Sequence, residues 1–290
     1  MSSNRILQAS AELRSAIQPT LRSSTIRIPK TLITPLIHRP FSVSAISRQP
    51  ANSPAEDLAA NIKPTPEQVD SYLSSKLLHP DYGKDPTFAK NLERIKEHDI
   101  PQIQITPLQG QFLSLLVRSI GAERVLEIGT LTGYSTSYIS KALPYHGRID
   151  TLEINEKHSK IAQENFLESD LFPFPKIHLG PALKTLKTLK IPEEGLYDFI
   201  FIDANKDQVL DYFLESIKML RKGGLIVVDN AIREGKIIPS SEQSSTIEVE
   251  GFRKLYDWLE QDNGKTVLAS GIQTVSSKSW DGFLIMTKLV

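Results

Sequence analysis

Five short apolar runs, each followed by a stretch of helical character, limit what this chain can fold into more than any other feature. The runs span residues 124–130, 148–154, 176–179, 197–204 and 224–229, and helical segments at 134–143, 155–169, 181–189 and 206–220 separate them. The cores FIFI and LIVV are nearly all apolar, as strands are when helices cover both faces of a sheet. Strand and helix in this alternation predict an α/β fold, a Rossmann-like, doubly wound and mostly parallel sheet. Gly223-Gly224 reads as a turn before the fifth strand. A helix over 247–260 and two strand-like runs, TVLAS and GFLIMTK, predict a closing antiparallel hairpin. Upstream, helices are expected over 64–78, 88–98 and 106–120, the last with a threonine cap and Pro107 at its first helical position.

Charge divides the chain unevenly. Residues 1–50 hold seven basic residues, one acidic residue and nine serines, so this segment carries +6 and the remainder −6. An arginine- and serine-rich, acid-poor start reads as a mitochondrial transit segment over 1–55, with HRPFSVSA as its processing region. The alternative is a plain basic tail on a cytoplasmic protein. Pro35 interrupts the apolar stretch TLITPLI, which argues against a secretory signal. Residues 56–290 then form the expected folded domain, with the N-terminal helices at its start. The chain has no cysteine, which excludes disulfides, thiolate metal sites and a cysteine nucleophile. No apolar run is long enough for a spanning helix, and the acidic main part disfavours nucleic acid as a partner.

In a doubly wound sheet, ligands sit beyond the C-terminal ends of the strands. The first strand there runs into VLEIGTLTGYS, where Gly129 and Gly133 are four apart. That spacing departs from the G-x-G-x-x-G turn that wraps a pyrophosphate. Glu127 beside the turn suits a ligand carrying positive charge, such as an α-ammonium group. Glu153 ends the second strand, where an acid accepts ribose hydroxyls. An adenosyl ligand follows, either S-adenosylmethionine (SAM) or NAD. Asp203, Asp229 and Asn230 end the fourth and fifth strands. Two carboxylates and an amide oxygen are hard donors that suit Mg²⁺ better than zinc; turn chemistry is the alternative for Asp229-Asn230. Lys206, at a helix start, faces the positive end of the macrodipole, which favours the neutral amine of a general base. His158 and His178 read as exposed or structural. Tyr256, Trp258 and Trp280 read as core or as pocket lining.

LEIGTLTGYST (126–136), DFIFIDANKDQVLDY (198–212), GGLIVVDN (223–230) and QTVSSKSWDGF (273–283) together resemble the cation-dependent class I O-methyltransferases, the group that includes the caffeoyl-CoA and catechol enzymes. The resemblance covers residues from about 106 onward. It implies a class I methyltransferase fold and methyl transfer from SAM to a small aromatic diol. It further implies that Glu127, Gly129, Thr130 and Ser135 contact the methionine part of SAM, that Glu153 holds the ribose and that Ala182 lies by the adenine. Asn205 and Tyr212 match further cofactor contacts. Asp203, Asp229 and Asn230 match the metal ligands, with Asp203 and Lys206 as the catalytic pair. The family's usual D-A-D-K reads D-A-N-K here, so Asn205 removes a negative charge beside the cofactor. A homodimer is also implied. Two other readings stay open: an NAD-dependent dehydrogenase, and a cofactor-binding protein without turnover.

Overall fold

Val125, Leu126, Phe199, Ile200, Val227 and Val228 are all fully buried, so both faces of the central strands are covered. The structure, a computed structural model, describes residues 63–189, 195–239 and 246–290. The transit-segment expectation for 1–55 lies outside them. Among the described residues, the strands are β1 (Arg124–Ile128), β2 (Arg148–Glu153), β3 (Lys176–Leu179), β4 (Tyr197–Ile202), β5 (Leu220–Asp229), β6 (Val267–Val275) and β7 (Trp280–Lys288). They form one sheet in the order β3-β2-β1-β4-β5-β7-β6. The first five are parallel, and β7 inserts antiparallel between β5 and β6. The predicted mostly parallel sheet with a C-terminal antiparallel hairpin is therefore the observed one.

The helices are α1 (Pro66–Leu77), α2 (Pro80–Gly83), α3 (Pro86–Glu97), α4 (Pro107–Ser119), α5 (Tyr134–Ala142), α6 (Glu156–Glu168), α7 (Ala182–Thr188), α8 (Val209–Met219) and α9 (Ile247–Asp262). Their starts follow the caps in the sequence. Thr65 and Thr106 each form a capping box with the glutamine three residues on, and Asn155 and Thr246 cap α6 and α9. Alternate strand residues feed two cores. Leu126, Ile128, Ile200 and Val228 pack under Phe213 of α8 and Phe252 of α9. Val125, Phe199 and Val227 pack under Leu113 of α4 and Tyr138 of α5. No described helix is long and apolar enough to cross a membrane.

Three local expectations are corrected. The first and fourth strands stop at Ile128 and Ile202, so Gly129, Thr130, Asp203 and Ala204 belong to the loops beyond them. Gly223-Gly224 is not a turn before the fifth strand but lies inside it. Pairing jumps from Tyr197↔Leu220 to Phe199↔Leu225, and the extra residues on β5 bulge. Gly223 takes φ +73°, and a Cβ on Gly224 would stand 2.8 Å from the Asp198 carbonyl oxygen. Lys206 starts a 3-10 turn (Lys206–Gln208) that precedes α8, rather than an α-helix.

Candidate active site

The chain reverses its winding between β1 and β4. Strands β1 to β3 step one way across the sheet and β4 to β5 step the other, which opens a crevice above the β1 and β4 ends. A cavity of about 820 Å³ occupies it. Its wall includes Gly129, Thr130, Ser135, Glu153, Ala182, Asp203, Asn205, Lys206, Tyr212 and Asn230. Ten of the twelve residues singled out from sequence thus face one space. Glu127 and Asp229 lie beneath its lining.

Gly129 lets the two strand ends meet. It takes φ +104°, and a Cβ there would stand 2.1 Å from the Asp203 carbonyl oxygen. The turn that follows is held from behind. The Thr132 carbonyl accepts from Asn91 Nδ2 at 3.0 Å and Asn165 Nδ2 at 2.9 Å, and Thr132 Oγ1 donates to Asn91 Oδ1 at 2.7 Å. Asn91 belongs to α3, so the N-terminal helices brace the turn.

Glu127 is fully buried. Ser135 Oγ donates to its Oε1 at 2.6 Å, Thr151 Oγ1 donates to its Oε2 at 2.6 Å, and Thr136 Oγ1 donates to the same oxygen. Burial pushes this carboxyl up to about 7; the three hydroxyls pull it down, and the charge of Asp203 adds to the rise. Its oxygens anchor the first turn of α5 to β2.

Glu153 stands on the wall in a fixed pose. Its Oε2 accepts from the Leu131 amide and its Oε1 from the Asn155 amide, both at 2.8 Å. Lone pairs remain for a diol in the cavity. His158, read from sequence as exposed or structural, also lines the cavity, with Nδ1 3.7 Å from Glu153 Oε1. His178 fits that reading: its Nε2 bonds buried Asp150 at 2.7 Å, and it is not part of the lining. Tyr256 and Trp258 pack against the β-sheet core, while Trp280 is 44% exposed.

At the β4–β5 end, Lys206 Nζ donates to Asp203 Oδ1 at 2.6 Å, so the lysine is engaged by a carboxylate rather than facing only a helix end. Asp229 is 5% exposed, and among the described residues its carboxylate accepts only from the Asn230 amide, to Oδ1 at 2.8 Å. Burial raises its pKa and the Asp203 charge adds to the rise, while Lys206 opposes it. Among the described residues no group of three or more His, Cys, Asp or Glu side chains is arranged for a metal. The set here is two carboxylates and an amide. Its hard oxygen donors, and a buried carboxylate that no cation among the described residues pairs with directly, fit a divalent ion with open positions.

Several wall residues carried no readable signal. Ile103, Gln104 and Ile105 precede α4 in an irregular segment, and Arg233 and Glu248 come from beyond β5 and from the start of α9. Lys278, in the β6–β7 turn, donates to the carbonyls of Gln102 and Gln104 and so ties that segment to the hairpin.

Residues 81–273 match the family model described as O-methyltransferase. A catechol O-methyltransferase of Mycobacterium tuberculosis is 37% identical over 223 residues, covering 77% of this chain and 96% of the relative. An O-methyltransferase from Bacillus cereus, solved in complex with S-adenosylhomocysteine (SAH), superposes with a TM-score of 0.71 at 37% identity, covering 77% of this chain and 98% of that one. A Streptomyces achromogenes O-methyltransferase solved with SAM gives 0.71 at 33% identity over 78% of this chain and 97% of the other. With two-thirds of its length inside the family model, and with a crevice that gathers the motif residues on one wall, the chain belongs to the O-methyltransferase family.

Proposed function

We propose that the protein transfers a methyl group from SAM to a hydroxyl of a catechol-like or caffeoyl-type aromatic diol, with Mg²⁺ as the divalent cation. The observation that carries this reading is a single cavity with Glu153 at its β2 side and Lys206, Asp203 and Asn230 at its β4–β5 side. Glu153 accepts the ribose hydroxyls. Ala182 borders the adenine, and Asn205 and Tyr212 close the wall over the donor. The Tyr212 hydroxyl donates to Gln208 Oε1 at 2.8 Å, which fixes its ring. Glu127 sets the methionine end indirectly, by holding Ser135 in place.

The sulfonium makes the methyl group electrophilic without help from the protein. What remains is alignment and removal of one proton. Holding donor and acceptor in line is worth about 7–11 kcal/mol in favourable cases. The acceptor oxygen forms its bond to the methyl carbon as the carbon–sulfur bond breaks, and the hydroxyl proton passes to Lys206 Nζ. The lysine accepts it as the neutral amine, and so must first release the proton that pairs it with Asp203 Oδ1. Asp203, Asp229 and Asn230 would hold the cation, which supplies Lewis-acid polarisation of the acceptor oxygens when bound. A mitochondrial address for residues 1–55 and a homodimeric assembly belong to the same reading, supported by the basic, serine-rich start and by the family resemblance.

Removal of the cation tests it. EDTA should abolish methyl transfer and Mg²⁺ should restore it; full activity in chelator would remove the cation from the account. Thermal unfolding gives a second readout. The folded-state pKa of Asp229 is raised above its unfolded value, so the ligand-free protein loses stability as pH rises from the ordinary carboxylate range toward neutrality. A cation binds the ionised form. Millimolar Mg²⁺ should therefore raise the melting temperature more at about pH 8 than at about pH 5, with the difference lost in Asp229→Asn.

A further inference from the structure

Arg233 takes no part in the roles described so far, yet it lines the cavity three residues beyond Asn230. Its backbone is left-handed at φ +51°, as are those of Asn230 at +59° and Glu234 at +55°. Three such non-glycine residues within five positions cost conformational energy and persist only where the surroundings fix them. The surroundings here do so. Asp281 Oδ1, from β7, accepts the amides of Ile232 and Arg233 at 3.0 Å each. The Ala231 amide donates to the Gly282 carbonyl at 2.9 Å, and Tyr256 of α9 donates from its hydroxyl to the Ala231 carbonyl at 2.5 Å. The Asp-Gly of QTVSSKSWDGF thereby gains a purpose: it clamps the segment that presents Asn230 and Arg233 to the cavity.

Among the described residues the guanidinium itself is uncommitted: it forms no ion pair, whereas Lys206 is bound to Asp203 and Lys278 to two backbone carbonyls. Glu234 and Glu248 feel its charge, but the first is paired with Lys236 at 2.6 Å and the second with the Thr246 side chain. A guanidinium is always charged and presents a planar fork that matches a carboxylate with two parallel hydrogen bonds. Placed beside the acceptor end of the cavity, that fork reads one chemical class.

We propose that Arg233 selects the methyl acceptor by pairing with a carboxylate carried on the aromatic diol. The inference rests on the methyl-transfer reading for the identity of the acceptor. Binding is therefore measured separately from turnover. Calorimetry would compare 3,4-dihydroxybenzoate, neutral 4-methylcatechol and cationic dopamine against the wild-type protein with SAH and Mg²⁺, and against Arg233→Gln and Arg233→Lys. The carboxylated diol should bind about tenfold or more tighter than the neutral one, the effect of a charge-assisted hydrogen bond. Arg233→Gln should erase that ratio and leave the affinities for 4-methylcatechol and SAH unchanged. Arg233→Lys should restore it in part, having charge without the fork. Carboxylate preference in binding without any methyl transfer would sink the activity and leave this inference standing. An unchanged ratio in Arg233→Gln, or a loss confined to SAH affinity, would overturn it, the latter by assigning the fork to the cofactor's own carboxylate.

Discussion

Lys206→Met is expected to lower kcat by about 100- to 10,000-fold while leaving the KM for SAM nearly unchanged, the range found when a positioned proton acceptor is removed. Methionine keeps much of the side-chain volume and loses only the amine. The amine lies 2.6 Å from Asp203 Oδ1 with a side chain 12% exposed, so it is held at the wall by its partner. Glu153→Ala is the matching contrast. It removes the acceptor for the Leu131 and Asn155 amides and the proposed ribose contact together. Its effect should fall on SAM affinity, with kcat at saturating SAM reduced far less. Steady-state kinetics on both variants decides the point. Equal losses in kcat with unchanged SAM affinity would contradict both roles.

Gly129→Ala should be the most damaging single change in the strand ends. A β-carbon there would lie 2.1 Å from the Asp203 carbonyl oxygen, inside any tolerable contact, and the φ of +104° is closed to alanine. Flexible side chains cannot relieve the clash, because the neighbour is backbone. That backbone is itself tied to β1 by the Asp203 amide donating to the Ile128 carbonyl at 2.8 Å. The strand ends must separate, which costs on the order of 3 kcal/mol or more. Asp203 moves with its backbone, and a displacement of about 1 Å at a reacting centre costs roughly 100-fold in rate. Thermal melts and kcat should both fall. Gly121→Ala is the control: its φ is +59°, but nothing lies within 4 Å of the added carbon. It should destabilise mildly and leave kcat intact. Equal behaviour of the two variants would show that close approach at Gly129 carries no function.

The fold was legible because its signals are local. Apolar runs mark the buried strands, glycines mark the crossings and Thr106 and Asn155 mark helix starts. Boundaries failed where tertiary contact overrides local preference, as when β5 runs through two glycines because the bulge opposite Tyr197 and Phe199 needs them. The site was legible wherever a functional residue sits at a strand end, since the topology alone converges those ends. For Glu127 the strand-end position was legible but its three hydroxyl partners, drawn from α5 and β2, were not. Nor was the site legible at Arg233, Gln104 or His158. These reach the cavity from irregular segments or a helix flank, and only the folded chain brings them there. The ion pair between Lys206 and Asp203 is an intermediate case. A spacing of three residues permits it, but the 3-10 turn that forms it has no distinct sequence signature.

A single-turnover experiment tests the core of the account most directly. Enzyme in excess over SAM labelled in its methyl group would be mixed with Mg²⁺ and 3,4-dihydroxybenzoate, and the products separated by mass. The account predicts the label on one ring oxygen of the diol, with SAH formed in equal amount. Donor that stays intact while bound to the protein, or label that appears anywhere but on a diol oxygen, would contradict it.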